Sequence, residues 1–133
     1  MHSTNYFSTL ILASADCAAT EGTVPAKAGT VAAIQHELLS ESPYELTSDE
    51  LLLAVEVRRQ GVKRGEVAGF EKTFFAKPHA CLRASPLVKS YGWGVHHDSS
   101  GRVALVGRET PRYQAMVDDD AVKKVSGMRS RRS

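Results

Sequence analysis

Residues 88–107 read VKSYGWGVHHDSSGRVALVG, and the fold class turns on them. Two runs rich in β-branched and aromatic residues flank Asp98-Ser99-Ser100-Gly101, a turn composition closed by a glycine. Residues 88–97 and 102–107 are therefore expected to pair as a β-hairpin. Alternate residues of a strand share a face. Lys89, Tyr91, Trp93, Val95 and His97 would then line one side of the hairpin, and Ser90, Gly92, Gly94 and His96 the other. The first side is aromatic and cationic; the second is nearly bare.

Outward from the hairpin, the chain alternates helix and strand signals. Tyr6 to Ala13 is β-branched and aromatic and is expected to be a strand. Thr30 has the chemistry of an N-cap, and Val31, Ile34 and Leu38 recur at helical spacing over 30–40. Residues 49–60 are ambiguous. Leu51, Leu53, Val55 and Val57 alternate as in a strand, but Thr47-Ser48-Asp49-Glu50 is a capping box and Arg58-Arg59-Gln60-Gly61 a basic last turn with a glycine stop, which favours a helix. Residues 70–77 are expected to form a short helix with Phe70, Phe74 and Phe75 toward the core, ended by Pro78. Thr110-Pro111 starts another helix to about Val117, and Asp118-Asp119-Asp120 an acidic start to a last helix through Val125. These elements make an α+β domain: a small, mainly antiparallel sheet with the 88–107 hairpin and the 6–13 strand, packed against several helices.

The composition excludes several classes of protein. The 133 residues fit one domain, with 42% hydrophobic and 24% charged residues, neither disordered nor membrane-spanning in character. Two cysteines cannot form a disulfide framework, so a reducing, cytoplasmic setting is expected. Phe7 to Ala15 before Asp16-Cys17 imitates an export signal, but no base precedes the run, serines and a threonine break it, and Asp16 stands where a lipobox wants a small residue. The net charge of +2 hides an asymmetry: residues 1–57 carry eight acids and the single base Lys27, while residues 58–133 carry sixteen bases and seven acids. Bases thus gather around the hairpin and a basic C-terminal tail, about 126–133, where an anionic partner would be met.

Four stretches carry a family resemblance: MHSTNYF at the start with Thr9, YELTSDE at 44–50, CLRASPLVKSYGWGVH at 81–96 and MRSRR at 128–132. Together they resemble an uncharacterised family of small bacterial and fungal proteins, a domain of unknown function. The resemblance spans nearly the whole chain and implies a complete single-domain protein, 1–133. It supplies no activity, so function has to come from the site.

Functional residue types are densest between Lys77 and Arg112. Aromatics with flanking bases stack on nucleobases and grip phosphates, so Lys89, Tyr91, Trp93, Arg102 and Arg108 are the expected contacts for an anionic ligand, either nucleic acid or a phosphorylated small molecule. Equally, Tyr91 and Trp93 could be core residues with a helix over the glycines. A second possibility is a small enzyme with a pocket around Cys81, Arg83 and His96, where Arg83 would favour the Cys81 thiolate, and with Ser85 and Tyr91 lining it. His79 shares the parity of Cys81 and is a possible base, although a lone buried cysteine is the commoner arrangement. A third is a homo-oligomer in which acidic and basic halves of two copies meet, sensitive to salt. No phosphate-loop, dinucleotide or nucleophile-elbow motif is present. His79 and Cys81 lack the further ligands of a metal site, so neither metal nor cofactor is expected, and no membrane partner.

Overall fold

The structure, a computed structural model, describes residues 3–129. In chain order the elements are β1 (Thr9–Leu12), α1 (Val31–Glu41), α2 (Ser48–Gln60), α3 (Val67–Phe75), α4 (Pro86–Ser90), β2 (Trp93–His97), β3 (Val103–Gly107), α5 (Pro111–Asp118) and β4 (Lys123–Ser126). The strands form one mixed, mostly antiparallel sheet in the order β3-β2-β1-β4, and the fold is α+β as expected. β1 is central, antiparallel to β2 and parallel to β4.

The caps decide the two long helices. Thr30 accepts a hydrogen bond from the Ala33 N–H at the start of α1. At α2 the box is reciprocal: Glu50 N–H donates to Thr47 Oγ1 at 3.2 Å and Thr47 N–H to Glu50 Oε1 at 2.9 Å. Gly61 closes α2 in the left-handed conformation at φ 62°. Residues 49–60 are therefore helical, and the alternating leucines and valines wrap around the helix, with Leu51 and Val55 toward the core.

The register divides the sheet into two faces. Ile11, Val95 and Leu105 align across β1, β2 and β3, and Val125 lies beside Ile11. This face packs on Ile34 and Leu39 of α1, on Leu51 and Val55 of α2, and on Leu82 and Val88. The opposite face carries Leu10, Gly94, His96, Ala104 and Val106. Part of it is covered by α5, whose Tyr113 ring lies against Gly94 and whose hydroxyl accepts the Ala13 N–H at 3.1 Å. The bare face of the hairpin is thus a seat for a helix.

Three expectations are corrected. The strand begins at Trp93, not Val88. Ser85 caps α4 with Pro86 in its first turn, so Lys89 is helical and Tyr91 is the C-cap. Gly92, at φ 77°, turns the chain into β2 where a Cβ would lie 2.3 Å from the Glu21 carbonyl oxygen. Second, residues 118–125 are not a helix. Asp119 Oδ1 accepts the Ala121 N–H to form a turn, and Lys123–Ser126 is strand β4. The start of the expected basic tail, 126–128, is likewise part of the sheet assembly: Gly127 N–H bonds to Leu12 O and Met128 N–H to Arg83 O. Arg131 and Arg132 lie outside the described residues. Third, Phe70, Phe74 and Phe75 are half-buried and stand outside the central core; Phe70 and Phe74 form a wall of the groove described next.

The N-terminal segment is tied to α2 through a buried carboxylate. Asp49 Oδ1 accepts both the Thr4 N–H and the Thr4 hydroxyl at 2.7 Å, and Oδ2 accepts Ser3 Oγ at 3.0 Å. Asn5 Oδ1 in turn accepts the Asp49 N–H. This anchor holds Tyr6 over the sheet end, where its ring meets the His97 ring edge-on at 5.3 Å.

Candidate functional site

One concavity lies where α1, α2 and α3 fail to close against the 77–80 segment. It encloses about 450 Å³. Val31, Leu52, Val55, Phe70, Phe74 and Ala80 supply apolar wall, and Gln35, Glu56, Gln60, Thr73, Lys77 and His79 supply polar groups. A smaller recess of about 150 Å³ shares Val31, Gln35, Leu52 and Ala80 with it and reaches Cys81 and Ser85. An apolar cleft of this size with a few placed polar groups is the usual form of a small-molecule site.

Its polar groups are oriented by their partners. Gln35 is only 3% exposed. Ser85 Oγ accepts the Leu87 N–H as helix cap and donates to Gln35 Oε1 at 2.6 Å. With Oε1 toward Ser85, Gln35 Nε2 keeps two donors with no protein partner among the described residues. His79 Nε2 lies 2.7 Å from the Phe74 carbonyl and donates to it; the ring stacks on Phe74 at 3.8 Å. Glu56 is already held, Oε1 by Arg59 at 2.9 Å and Oε2 by Gln60 at 3.1 Å. Lys77 has no ion pair among the described residues, where the two pairs are Arg58–Glu37 and Arg59–Glu56. The groove therefore offers one uncompensated cation and one buried amide donor.

The residues singled out from the sequence do not converge on one surface. Trp93 is half-buried under the 20–24 loop: its indole N–H donates to the Thr23 carbonyl at 2.8 Å, a Cβ on Gly22 would lie 3.0 Å from its ring, and His36 packs against it at 5.4 Å. Burial lowers the pKa of His36. The Tyr91 carbonyl accepts the Thr23 N–H, pinning the same loop. Arg108 spends its guanidinium on the carbonyls of Cys17 and Ala19. Arg102 is exposed at the opposite end of the hairpin, and Lys89 is half-buried on α4.

Cys81 and Arg83 both reach the Tyr6 phenol, but His96 is separated from them. Cys81 lines the small recess, with Tyr6 Oη 3.3 Å from its sulfur. Burial, reinforced by Cys81 and opposed by Arg83, raises the Tyr6 phenol above its ordinary pKa. A protonated phenol is a poor base, so Tyr6 does not activate this thiol as a nucleophile. Arg83 Nε donates to the Ser126 carbonyl at 2.6 Å and ties the recess to β4. His96 is on the far face of the sheet, bonded through Nδ1 to the Tyr44 hydroxyl at 2.8 Å. Among the described residues no three His, Cys, Asp or Glu side chains cluster to hold a metal, and no helix is long and apolar enough to cross a membrane.

Gln35 is a functional candidate that the sequence reading passed over. It had a signal, being a polar residue four places from both Val31 and Leu39 on the apolar stripe of α1. No curated protein and no solved structure matches the chain, so the geometry has no template. Residues 1–133 are matched in full by the sequence model of a family of unknown function, DUF6157, and the chain belongs to that family.

Proposed function

We propose that the protein binds a small, partly apolar anion in the groove between α1, α2 and α3. The anionic class is the one expected from the charge pattern, and the groove gives it a place distinct from the hairpin strip. The observation that carries this reading is the Gln35 amide, buried, oriented by Ser85 and left with free donors beside an apolar wall and the unpaired Lys77. A planar aromatic acid suits these groups: its ring lies among Val31, Leu52, Val55 and Phe70, an acceptor oxygen meets Gln35 Nε2, and its charge faces Lys77. A carboxylate bonded to an ammonium and an amide gains both charge and geometry.

2-Naphthoate is a suitable probe because it combines two fused rings with one carboxylate. Binding followed by its own fluorescence is expected to saturate, to weaken about tenfold in Lys77→Gln, an exposed position that leaves folding intact, and to weaken similarly in Gln35→Leu. Ten-fold corresponds to about 1.4 kcal/mol, the worth of one charge-assisted hydrogen bond. Equal affinity for the neutral 2-acetylnaphthalene, or unchanged affinity in Lys77→Gln, would overturn the anionic assignment.

A further inference from the structure

Helix α3 has an apolar sequence and an uncovered side. It reads VAGFEKTFF, yet none of its residues is buried. One side of it is used, because Phe70 and Phe74 wall the groove. Another is not. Ala68, Glu71, Lys72 and Phe75 recur at the i, i+3, i+4, i+7 spacing of a helix face and, with Ala76, line a shallow recess of about 450 Å³ to which no other element contributes. Ala68, Glu71, Lys72 and Ala76 are exposed, and Phe75 is half-buried, held edge-on against Phe74 at 5.1 Å. Through Glu71 the recess runs into a wider hollow between α2 and α3, about 690 Å³, floored by Leu53, Val57, Val62 and Val67. Contiguous exposed apolar surface marks an interaction site more often than isolated hydrophobic residues do.

The charges on this side identify what covers it. With about 100° between successive residues, Ala68 and Phe75 lie about 20° apart around the helix, Glu71 on one flank of that stripe and Lys72 on the other. As sequence neighbours the two side chains do not face each other, and neither has an ion-pair partner among the described residues, where the two pairs are Arg58–Glu37 and Arg59–Glu56. Under a two-fold axis running along the helix, each flank of α3 meets the opposite flank of its copy. Glu71 then faces the second copy's Lys72, Lys72 faces the second copy's Glu71, and Ala68 and Phe75 meet their own counterparts. An axis across the helices, which makes them antiparallel, sets Glu71 against Glu71 and Lys72 against Lys72. The stripe is thus complementary to itself in one orientation. Its two charges cancel, which favours neither an acidic nor a basic partner.

We infer that α3 carries a homodimer contact: two copies of the chain pack their α3 helices side by side and parallel, Phe75 against Phe75, with two Glu71–Lys72 pairs across the axis. The contact uses one helix and not the acidic and basic halves of the chain, and it leaves Phe70, Phe74 and the ligand groove on another side of that helix. Its apolar stripe is short and its ion pairs are exposed, so the dimer is weak and loosened by salt.

Sedimentation equilibrium of the full chain, without ligand and over rising loading concentration, tests this. The weight-average mass is expected to climb from that of one chain toward that of two. Glu71→Lys gives both flanks the same sign and should weaken association about tenfold, and Lys72→Glu should do the same. Glu71→Lys combined with Lys72→Glu exchanges the flanks and should restore the parent affinity. Ala68→Arg sets two like charges at the axis and should abolish the dimer. All three positions are exposed, so urea unfolding of the variants at low concentration should match the parent. A single-chain mass at every concentration, undiminished association in Ala68→Arg, or a double variant no better than the single ones would each overturn the assignment. A protein that stays monomeric but sediments with phosphatidylserine vesicles would give this side to a membrane and overturn it too. No ligand is present, so failure here is separable from failure of the groove.

Discussion

His97 should make the protein acid-sensitive in a way a single substitution removes. Its side chain is fully buried, and neither ring nitrogen has a partner. Burial, with a smaller push from His96 and against the pull of Asp98, lowers its pKa from 6.5 to about 4. A depressed folded-state pKa means the unfolded chain binds the proton more readily. The folded state therefore keeps its full stability above the unfolded value and loses it as pH falls toward the folded one. The 2.5-unit gap is worth about 3.4 kcal/mol in the limit, and about 2 kcal/mol between roughly pH 7.5 and pH 5. His97→Phe keeps an aromatic ring for the edge contact with Tyr6 and removes the titration. At about pH 7.5 the variant should match or exceed the parent by up to about 2 kcal/mol, since two orphaned polar atoms are gone. Urea unfolding of both proteins at the two pH values isolates the effect, because all other ionisable groups are shared. If parent and variant lose stability in parallel between the two pH values, His97 does not titrate as a buried neutral imidazole.

Two further perturbations probe the scaffold. Asp49→Ala leaves the Thr4 N–H and hydroxyl without their acceptor, and should cost about 2–4 kcal/mol in urea unfolding and expose the N-terminal segment to proteolysis; unchanged protection would mean that the segment is held by other contacts. Gly94→Ala puts a Cβ 2.6 Å from the Tyr113 ring and 3.0 Å from the Ile11 carbonyl oxygen, so α5 must shift, with an expected loss of about 1–3 kcal/mol. A neutral effect would show that α5 does not seat on β2.

What the sequence made legible, and what it did not, follows from the range of the interactions. α1 and α2 were readable because their caps are local: Thr30 to Ala33 and Thr47 to Glu50 are contacts three residues apart. The hairpin turn at 98–101 was readable for the same reason, with Asp98 bonding its own turn. The Val88 boundary failed because a local signal, Ser85 before Pro86, outweighed the alternation that continued through Lys89 and Tyr91. β4 failed because its partner is β1, more than a hundred residues away, and Lys123-Lys124-Val125-Ser126 has too little apolar pattern to announce a strand. The groove belongs to the same class: Gln35, Leu52, Phe74 and Lys77 meet only through the packing of three helices. Of the residues expected at a site, Cys81 reaches the recess and His96 the outer face, while Trp93 and Arg108 are spent holding the 17–24 loop.

The central claim, that the groove takes a small aromatic anion, is tested most directly at Cys81, which lines the inner recess beside Gln35 and Ser85. In a Cys17→Ser background the alkylation rate of the remaining thiol is measured with rising 2-naphthoate. Protection that saturates at the concentration where the fluorescence titration saturates, and that is lost in Gln35→Leu, is the expected result. Alkylation at an unchanged rate while naphthoate binds would place the ligand elsewhere and contradict the account.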